Sequence, residues 1–155
     1  NRYVNDAKIA QAIAQMLTRA GIDVKVVAMP SATFFPQATD LKFSLLQAGW
    51  STGTGEASSS LKALLMTFNK DKGHGTANRG RYSNTKVDAL TEDALQLVDD
   101  VKREAYLQRA TELAIGDTGL IPLHFQVAQW AARDGITYQA RVDETTLAHK
   151  FAPKK

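Results

Sequence analysis

Helical and strand-like patterns alternate in the first fifty residues of this chain, and that alternation narrows the folds open to it. Between Asp6 and Gly21, apolar residues recur every three to four positions, which predicts an amphipathic helix with Asp6 as its N-cap. Gly21 is expected to end the helix, because glycine adopts a left-handed backbone without steric cost. The β-branched run 22–27 that follows predicts a strand.

The same alternation then occurs once more. A short helix is predicted from Pro30-Ser31, with Phe34 and Phe35 on its buried side, and the apolar run 43–50 predicts a second strand. Helix, strand, helix, strand is the order of a layered α/β domain, in which helices cover a sheet. The first third of the chain therefore predicts the α/β class.

A long polar loop separates this part from the later helices. The loop, residues 69–84, contains three glycines, and loops of this length in compact domains are usually functional or disordered. A short helix is predicted before it, within residues 61–68. A longer helix, about residues 86–98, is predicted after it, where Thr85 and Asp88 have the spacing of a capping box.

The next predicted helix spans about residues 101–115. Asp99 or Asp100 is expected to be its cap, and Gly116 is expected to stop it. The apolar run 120–127 beyond it predicts a buried strand.

Composition excludes several classes of function. The 155 residues contain no cysteine, which rules out disulfides, cysteine-ligated metals and thiol nucleophiles. The formal net charge is only +3, and basic residues are interspersed with acids, whereas nucleic-acid binding needs a clustered basic face. The sequence shows neither a signal peptide nor an apolar run of the about 20 residues that span a membrane. We therefore expect a mature fragment of a secreted protein or a cytosolic protein, with no nucleic-acid partner.

The sequence predicts no metal, cofactor or catalytic residue. His74, His124 and His149 do not have the i, i+4 spacing of a helical zinc site. The glycines within residues 53–55 lack the Lys-Ser/Thr of a phosphate loop, and those within residues 73–75 are not followed directly by a helix.

Trp50 is the residue that most suggests ligand binding. It ends the predicted strand 43–50 and precedes a loop of small residues, and binding clefts in α/β proteins lie at the carboxyl ends of strands. An aromatic ring followed by exposed backbone N–H groups suits a ligand with apolar and polar parts. The alternative is that Trp50 covers the end of its own strand.

Four segments, in this order, resemble the last third of the family 5 extracellular solute-binding proteins, the receptors for oligopeptides, dipeptides, nickel and glutathione. Residues 6–22 resemble the family's helix before a short strand, and residues 43–50 resemble the strand that ends in Gly-Trp. Residues 80–90 resemble its Tyr-Ser-Asn-x-x-Val-Asp segment, and residues 120–126 resemble a Pro-Leu strand that returns toward the hinge. Order and spacing together carry the resemblance, since no single motif is specific.

The resemblance implies a fold and a division of the chain. It implies one lobe of a type II periplasmic-binding-protein-like fold, incomplete here, with a mixed sheet flanked by helices. Residues 1–134 would be most of the second, C-terminal lobe of a two-lobed protein, and residues 135–155 a tail that returns to the first lobe. We expect the tail, which has β-like pieces such as residues 136–138, to be mobile, to fold back on its own lobe or to pair with another copy.

The family's ligand contacts transfer only in part. In the peptide receptors, an acidic residue three positions after the Gly-Trp tryptophan holds the peptide ammonium group, and this chain has Gly53 there. An oligopeptide receptor has an arginine three positions before the tryptophan, where this chain has Gln47. Both departures disfavour a free peptide held in the usual way. Glu56, in a loop that resembles that of the glutathione receptors, would meet an ammonium group or cap the helix that follows.

The resemblance also implies a function. The protein would be the periplasmic substrate-binding component of an ABC importer and no enzyme, capturing a peptide-like small solute (an oligopeptide, a dipeptide or glutathione) between two lobes. Hinge closure around the ligand would precede delivery to the inner-membrane permease. Its partners would be that solute, the permease, the N-terminal lobe of the same protein and, for this fragment, a second copy of itself. The ligand-binding residues expected on this lobe are Gln47, Trp50, Ser51, Gly53, Thr54, Glu56 and Asn78.

A small α/β hydrolytic enzyme is the alternative from another class. Glu56 and His124, at the ends of separate predicted strands, would be its acid–base pair. The enzyme alternative predicts one self-contained pocket within this chain. The receptor hypothesis predicts an open half-site around Trp50 and exposed apolar surface where another lobe belongs.

Overall fold

The computed structural model describes residues 5–141, 143 and 145–154, and these are mainly helical. The α-helices are α1 (Asp6–Arg19), α2 (Ser31–Thr39), α3 (Ser58–Ser60), α4 (Thr85–Gln96) and α5 (Asp100–Gly116). A π-helical turn, Leu61–Leu65, continues α3 directly. Two short strands, β1 (Ile136–Tyr138) and β2 (Phe151–Pro153), pair antiparallel, with a 3₁₀ turn at Ala148–Lys150 before β2.

The core lies where α4, α5 and the π-helical turn pack together. Ala94 on α4 and Ala110 and Ala114 on α5 are fully buried, and side chains this small let two helices approach closely. The buried residues that form this cluster are Leu61, Leu65, Val87, Ala94, Leu107, Ala110 and Ala114. The two long helices predicted from periodicity are therefore confirmed, and their apolar faces meet.

Helices α1 and α5 end in the same hydrogen-bonded motif, which needs a residue of positive φ just after the last turn. After α1 that residue is Gly21, as predicted, with a φ of 89°, and the N–H of Ile22 donates to the carbonyl of Leu17 at 2.9 Å. Helix α5 does end at Gly116, but the left-handed residue is Thr118, with a φ of 58°. The role predicted for Gly116 therefore belongs to a threonine.

Side chains cap α4 and α5 at their N-termini. Asn84 Oδ1 accepts from two backbone N–H groups in the first turn of α4, and Asp99 Oδ1 accepts from one in α5. Asp99 was one of the two predicted caps of α5. Asp6, predicted to cap α1, is instead its first residue and follows Asn5.

Asp88 has a different partner from the one that its spacing predicted. Its carboxylate accepts from the backbone N–H of Thr67 at 2.8 Å and from the Thr67 hydroxyl at 2.6 Å. The predicted capping box with Thr85 is therefore wrong. Asp88 ties α4 to the segment that follows the π-helical turn, a partner that only the tertiary structure supplies.

The three predicted strands, residues 22–27, 43–50 and 120–127, are not paired in the part of the chain that the structure describes. A strand pattern shows which face is apolar, but pairing needs a neighbour for the backbone N–H and C=O groups. The predicted mixed sheet flanked by helices does not form among the described residues. The sheet that they contain is the β1–β2 pair. Exposed apolar side chains in the three segments are Ile22, Val27, Leu45, Leu46, Trp50, Ile121, Leu123, Phe125 and Val127.

The tail folds back on itself. The β-like piece at residues 136–138 is β1 and pairs with β2. Three aromatic rings then contact one another in a row, with centroids 5.5 Å apart for Trp130 and Tyr138 and 4.6 Å apart for Tyr138 and Phe151. The predicted division at residues 134 and 135 stays a prediction. The predicted tail also contains residues outside the described ones: Val142, Glu144 and Lys155.

Candidate functional site

The predicted ligand loop forms one side of a groove, and α5 forms the other. The groove has a volume of about 590 Å³. Residues 54–57 line it from the loop side. The lining residues from α5 are Asp100, Arg103, Glu104, Leu107, Gln108, Thr111 and Glu112.

An ion pair joins the two sides of this groove. Arg103 Nη2 donates to Glu56 Oε2 at 2.8 Å, and the two side chains are 33% and 29% exposed. Asp100 Oδ1 lies 3.7 Å from the same guanidinium nitrogen. Pairs with this much exposure stabilise a fold by roughly 0–1 kcal/mol, so this pair links the loop to α5 but adds little to the stability of the fold.

Glu56 does not take the capping role predicted for it, and its predicted contact with a ligand ammonium group stays a prediction. It does not cap α3, whose N-cap position is Ala57 and carries no side-chain hydrogen bond. Its carboxylate is engaged by Arg103, 47 residues away in sequence. Sequence reasoning missed Arg103, and spacing offered no signal, because nothing local relates the loop to α5.

The groove has an acidic balance. Four carboxylates line it, from Glu56, Asp100, Glu104 and Glu112, against the single guanidinium of Arg103. Glu104 accepts from the amide of Gln108 at 3.1 Å. Carboxylates attract positive charge, so the groove suits a cationic group better than an anion.

Trp50 is half exposed, with 48% of its surface accessible. The alternative role, covering the end of its own strand, has no basis here because residues 43–50 form no strand. Ser51 and Gly53, the next predicted contacts, are also exposed. The ligand-binding role of these three residues stays a prediction.

Gln47 carries an unsatisfied polar atom. Its Oε1 is buried and has no hydrogen-bond partner among the described residues. A buried acceptor without a donor is unfavourable by about 1–3 kcal/mol. Gln47 is thus placed to accept a hydrogen bond that the described part of the chain does not supply.

Asn78, predicted to contact ligand, has a structural role instead. It is only 4% exposed. Its amide nitrogen donates to the carbonyls of Met66 at 3.0 Å and Tyr82 at 2.7 Å, and its oxygen accepts from the N–H of Tyr82 at 3.0 Å. The side chain is fully used in shaping the long loop, so the prediction for Asn78 is corrected.

The π-helical turn explains how that loop docks. Met66 N–H donates to Leu61 O at 2.9 Å, one residue further back than in an α-helix. The carbonyl of Lys62 is then open to another donor and accepts from the N–H of Gly75 at 2.8 Å. A local change in helix geometry therefore fastens the loop to the core.

The pKa values that shift belong to ion pairs and a partly buried phenol outside the groove. Burial and the hydrogen bond from its hydroxyl to Asp117 raise the pKa of Tyr82. The Lys72 ammonium, 2.8 Å away, lowers the pKa of Glu92. The guanidinium of Arg141 holds the pKa of Asp143 at about 2. None of these residues lines the groove, and such shifts also arise in purely structural ion pairs.

The enzyme alternative finds no acid–base pair in this geometry. Glu56 is bound by Arg103, and His124 is exposed within the unpaired segment 120–127. Among the described residues, no hydrogen bond or ion pair joins Glu56 to His124. General acid–base catalysis needs its groups within reach of one reacting centre, and the structure gives these two no such arrangement.

Sequence similarity to known proteins decides the family. Residues 1–72 match the model of the bacterial extracellular solute-binding proteins, family 5 Middle. The dipeptide-binding protein DppE of Bacillus subtilis (strain 168) is 31% identical over 119 residues, which are 76% of this chain and 21% of that protein. The chain belongs to family 5 of the bacterial extracellular solute-binding proteins.

Other relatives of this family 5 chain are named for different ligands. The periplasmic oligopeptide-binding protein OppA of Escherichia coli (strain K12) is 23% identical over 69% of the chain and 18% of its own length. The probable deoxycholate-binding periplasmic protein YgiS of the same organism is 28% identical over 81% of the chain and 22% of its own length. The family 5 chain thus spans about a fifth of the length of the curated relatives that it matches.

Family 5 membership implies a periplasmic-binding fold, and a helix-rich structure with a small two-stranded sheet is consistent with one part of such a fold. No solved structure matches the chain. Within the described residues, every helix is too short or too polar to cross a membrane.

Proposed function

We propose that this family 5 protein is the periplasmic substrate-binding component of an ABC importer and that it captures a peptide-like small solute. The observation that carries the proposal is similarity to relatives named as dipeptide- and oligopeptide-binding proteins, which covers 76%, 69% and 77% of the chain. The solute would be an oligopeptide, a dipeptide or glutathione. The protein would perform no catalytic step.

The ligand site on this chain is centred on Trp50. Its half-exposed ring offers apolar area for stacking. The buried, unpartnered Oε1 of Gln47 would accept an N–H from the ligand, and peptides carry such donors. The proposed contacts are Gln47, Trp50, Ser51, Gly53, Thr54 and Glu56.

An ammonium group of the ligand would lie toward the groove. The acidic balance of the lining residues favours a positive charge there. Glu56 would then share its carboxylate between Arg103 and the ligand. The peptide receptors hold the peptide ammonium group with an acidic residue at the position of Gly53. Gly53 has no side chain to form that salt bridge, so the ammonium contact would be made further along the loop.

Capture needs contacts from outside this chain. The described residues would form an open half-site, and closure of a second, N-terminal lobe over the ligand would supply the rest. Ligand that touches both lobes raises the population of the closed state, which is the state passed to the membrane permease. The exposed apolar segment 120–127 would pack on the remainder of the protein or, in its absence, on a second copy of this chain.

Mass spectrometry of the full-length protein tests the proposal. The protein is purified from its natural compartment without added ligand, and the small molecules released on unfolding are identified. Short peptides or glutathione are expected. Trp50→Ala should release less of them, whereas Trp130→Ala, a change at the ring that packs on Tyr138 of the tail, should release as much as the natural protein. Deoxycholate or another sterol acid, with no peptide, would contradict the proposed solute class.

A further inference from the structure

Residue Asp134 stands directly before Gly135, and the pair is the single aspartate–glycine sequence in the chain. It forms the turn that leads into β1. The N–H of Gly135 donates to Asp134 Oδ1 at 2.9 Å, so the backbone nitrogen lies beside the carboxyl group of the preceding residue. Both residues are exposed, and Gly135 has a φ of 87°.

We propose that Asp134 is a site of spontaneous isoaspartate formation. The nitrogen of Gly135 bonds to Cγ of Asp134. The proton of the nitrogen and the hydroxyl of the protonated carboxyl group leave together as one water, which gives a five-membered succinimide. Water then adds to one of the two ring carbonyls. Opening at the side-chain carbonyl restores aspartate, and opening at the main-chain carbonyl gives isoaspartate of unchanged mass.

The surroundings of Gly135 favour this ring closure. Glycine has no Cβ to obstruct the approach of its nitrogen, and even an added Cβ would meet nothing within 4 Å. Among the described residues, the N–H of Gly135 donates to the Asp134 carboxylate and to no other group. Rearrangement into the ring therefore breaks no hydrogen bond to the rest of the fold.

Asp93 is a natural comparison within the same chain. It lies inside α4 and is also exposed, but the residue after it, Ala94, is fully buried in the core. The backbone nitrogen there belongs to a helical turn, which fixes its φ and ψ. Exposure of the carboxyl group alone therefore does not make Asp93 a comparable site.

The conversion would alter the β1–β2 pair. Gly135 O accepts from the N–H of Lys154 at 2.8 Å, and Ile136 N–H donates to Arg133 O at 3.1 Å across the same turn. Isoaspartate routes the main chain through Cβ and so adds one carbon to the backbone between Arg133 and Gly135. The turn lengthens, and the register of β1 against β2 no longer fits. A two-stranded pair is only marginally stable, so a change of this size matters.

Ageing of the chain in mildly acidic buffer tests the proposal. Isoaspartate is measured as methyl groups incorporated by isoaspartyl methyltransferase, and peptide mapping locates them. We expect the signal in the peptide that contains Asp134 and none in the peptide that contains Asp93. Asp134→Glu, which keeps the charge but needs a six-membered ring, should lose the signal. Asp134→Asn should raise it, because the side chain then releases ammonia in place of water.

Two outcomes would overturn the proposal. One is an aged natural chain in which the Asp134 peptide carries no more label than the Asp93 peptide. The other is an unchanged signal in Asp134→Glu. Cross-strand amide contacts between β1 and β2, followed by NMR, test the consequence separately: they should disappear in the isoaspartate fraction and persist in Asp134→Glu.

Discussion

Gly75 occupies a place in the long loop that no other residue fills without rearrangement. A Cβ there would lie 2.5 Å from the carbonyl oxygen of Met66 and 2.8 Å from Cα of Phe68, and the backbone has a φ of 60°. Both groups that it would meet are backbone, which moves less easily than a side chain. Together with Asn78, whose amide bonds to Met66 and Tyr82, this glycine fixes the loop on the core.

Three glycine-to-alanine variants separate the two reasons for glycine at this position. Gly73→Ala puts a side chain on a left-handed backbone, since φ is 65°, but the added Cβ has nothing within 4 Å. It should lower the free energy of unfolding by about 1–2 kcal/mol. Gly75→Ala has the same backbone penalty and the close contacts as well, so it should lower the free energy of unfolding by more. Gly53→Ala meets neither and should change little. Urea unfolding measures all three; a loss for Gly75→Ala no larger than for Gly73→Ala would contradict the packing argument.

The roles of some residues could be predicted from the sequence, and the roles of others could not. Gly21 and Asp99 were predictable because a helix end depends on a few neighbouring residues. Asn78 was not, because an asparagine in a polar loop fits a ligand contact and a turn equally well, and only its burial decides. The pairing of Glu56 with Arg103 was also beyond reach, since it depends on how the loop and α5 meet.

Secondary structure was likewise predictable only where neighbouring residues decide it. The helices were predictable because apolar spacing and caps act within one or two turns. The run 120–127 has an equally clear pattern, yet forms no strand among the described residues, because a strand is completed by a neighbour distant in sequence. Local rules thus gave α1, α2, α4 and α5, while the predicted sheet failed where it needed partners.

The bond from Thr67 to Asp88 is expected to be the main polar link between α4 and the segment after the π-helical turn. Asp88→Ala removes a charged acceptor of two hydrogen bonds and should lower the free energy of unfolding by roughly 1–3 kcal/mol. Asp93→Ala, at an exposed position of the same helix, is the matched control and should change it by under about 0.5 kcal/mol. Equal losses in urea unfolding would show that Asp88 acts through helix propensity and not through Thr67.

As a whole, the described molecule is a three-part helical core that carries exposed apolar segments. Val127 and Phe125 are 79% and 98% exposed, while the core between α4 and α5 is closed. Large apolar surface of this kind commonly marks an interface. The chain spans about a fifth of the length of its relatives, and those relatives have ample further chain to cover such a surface.

The central claim, that the Trp50 region takes a peptide-like solute, is tested most directly by an NMR titration of this chain with a dipeptide. The two indole N–H signals report separately, because the indole N–H of Trp130 donates to the hydroxyl of Thr146, a residue of the tail. We expect the Trp50 signal to shift and the Trp130 signal to stay unchanged, with saturation only at high peptide concentration because half of the contacts are absent. A shift confined to Trp130, no response of Trp50, or saturation at micromolar peptide would contradict it.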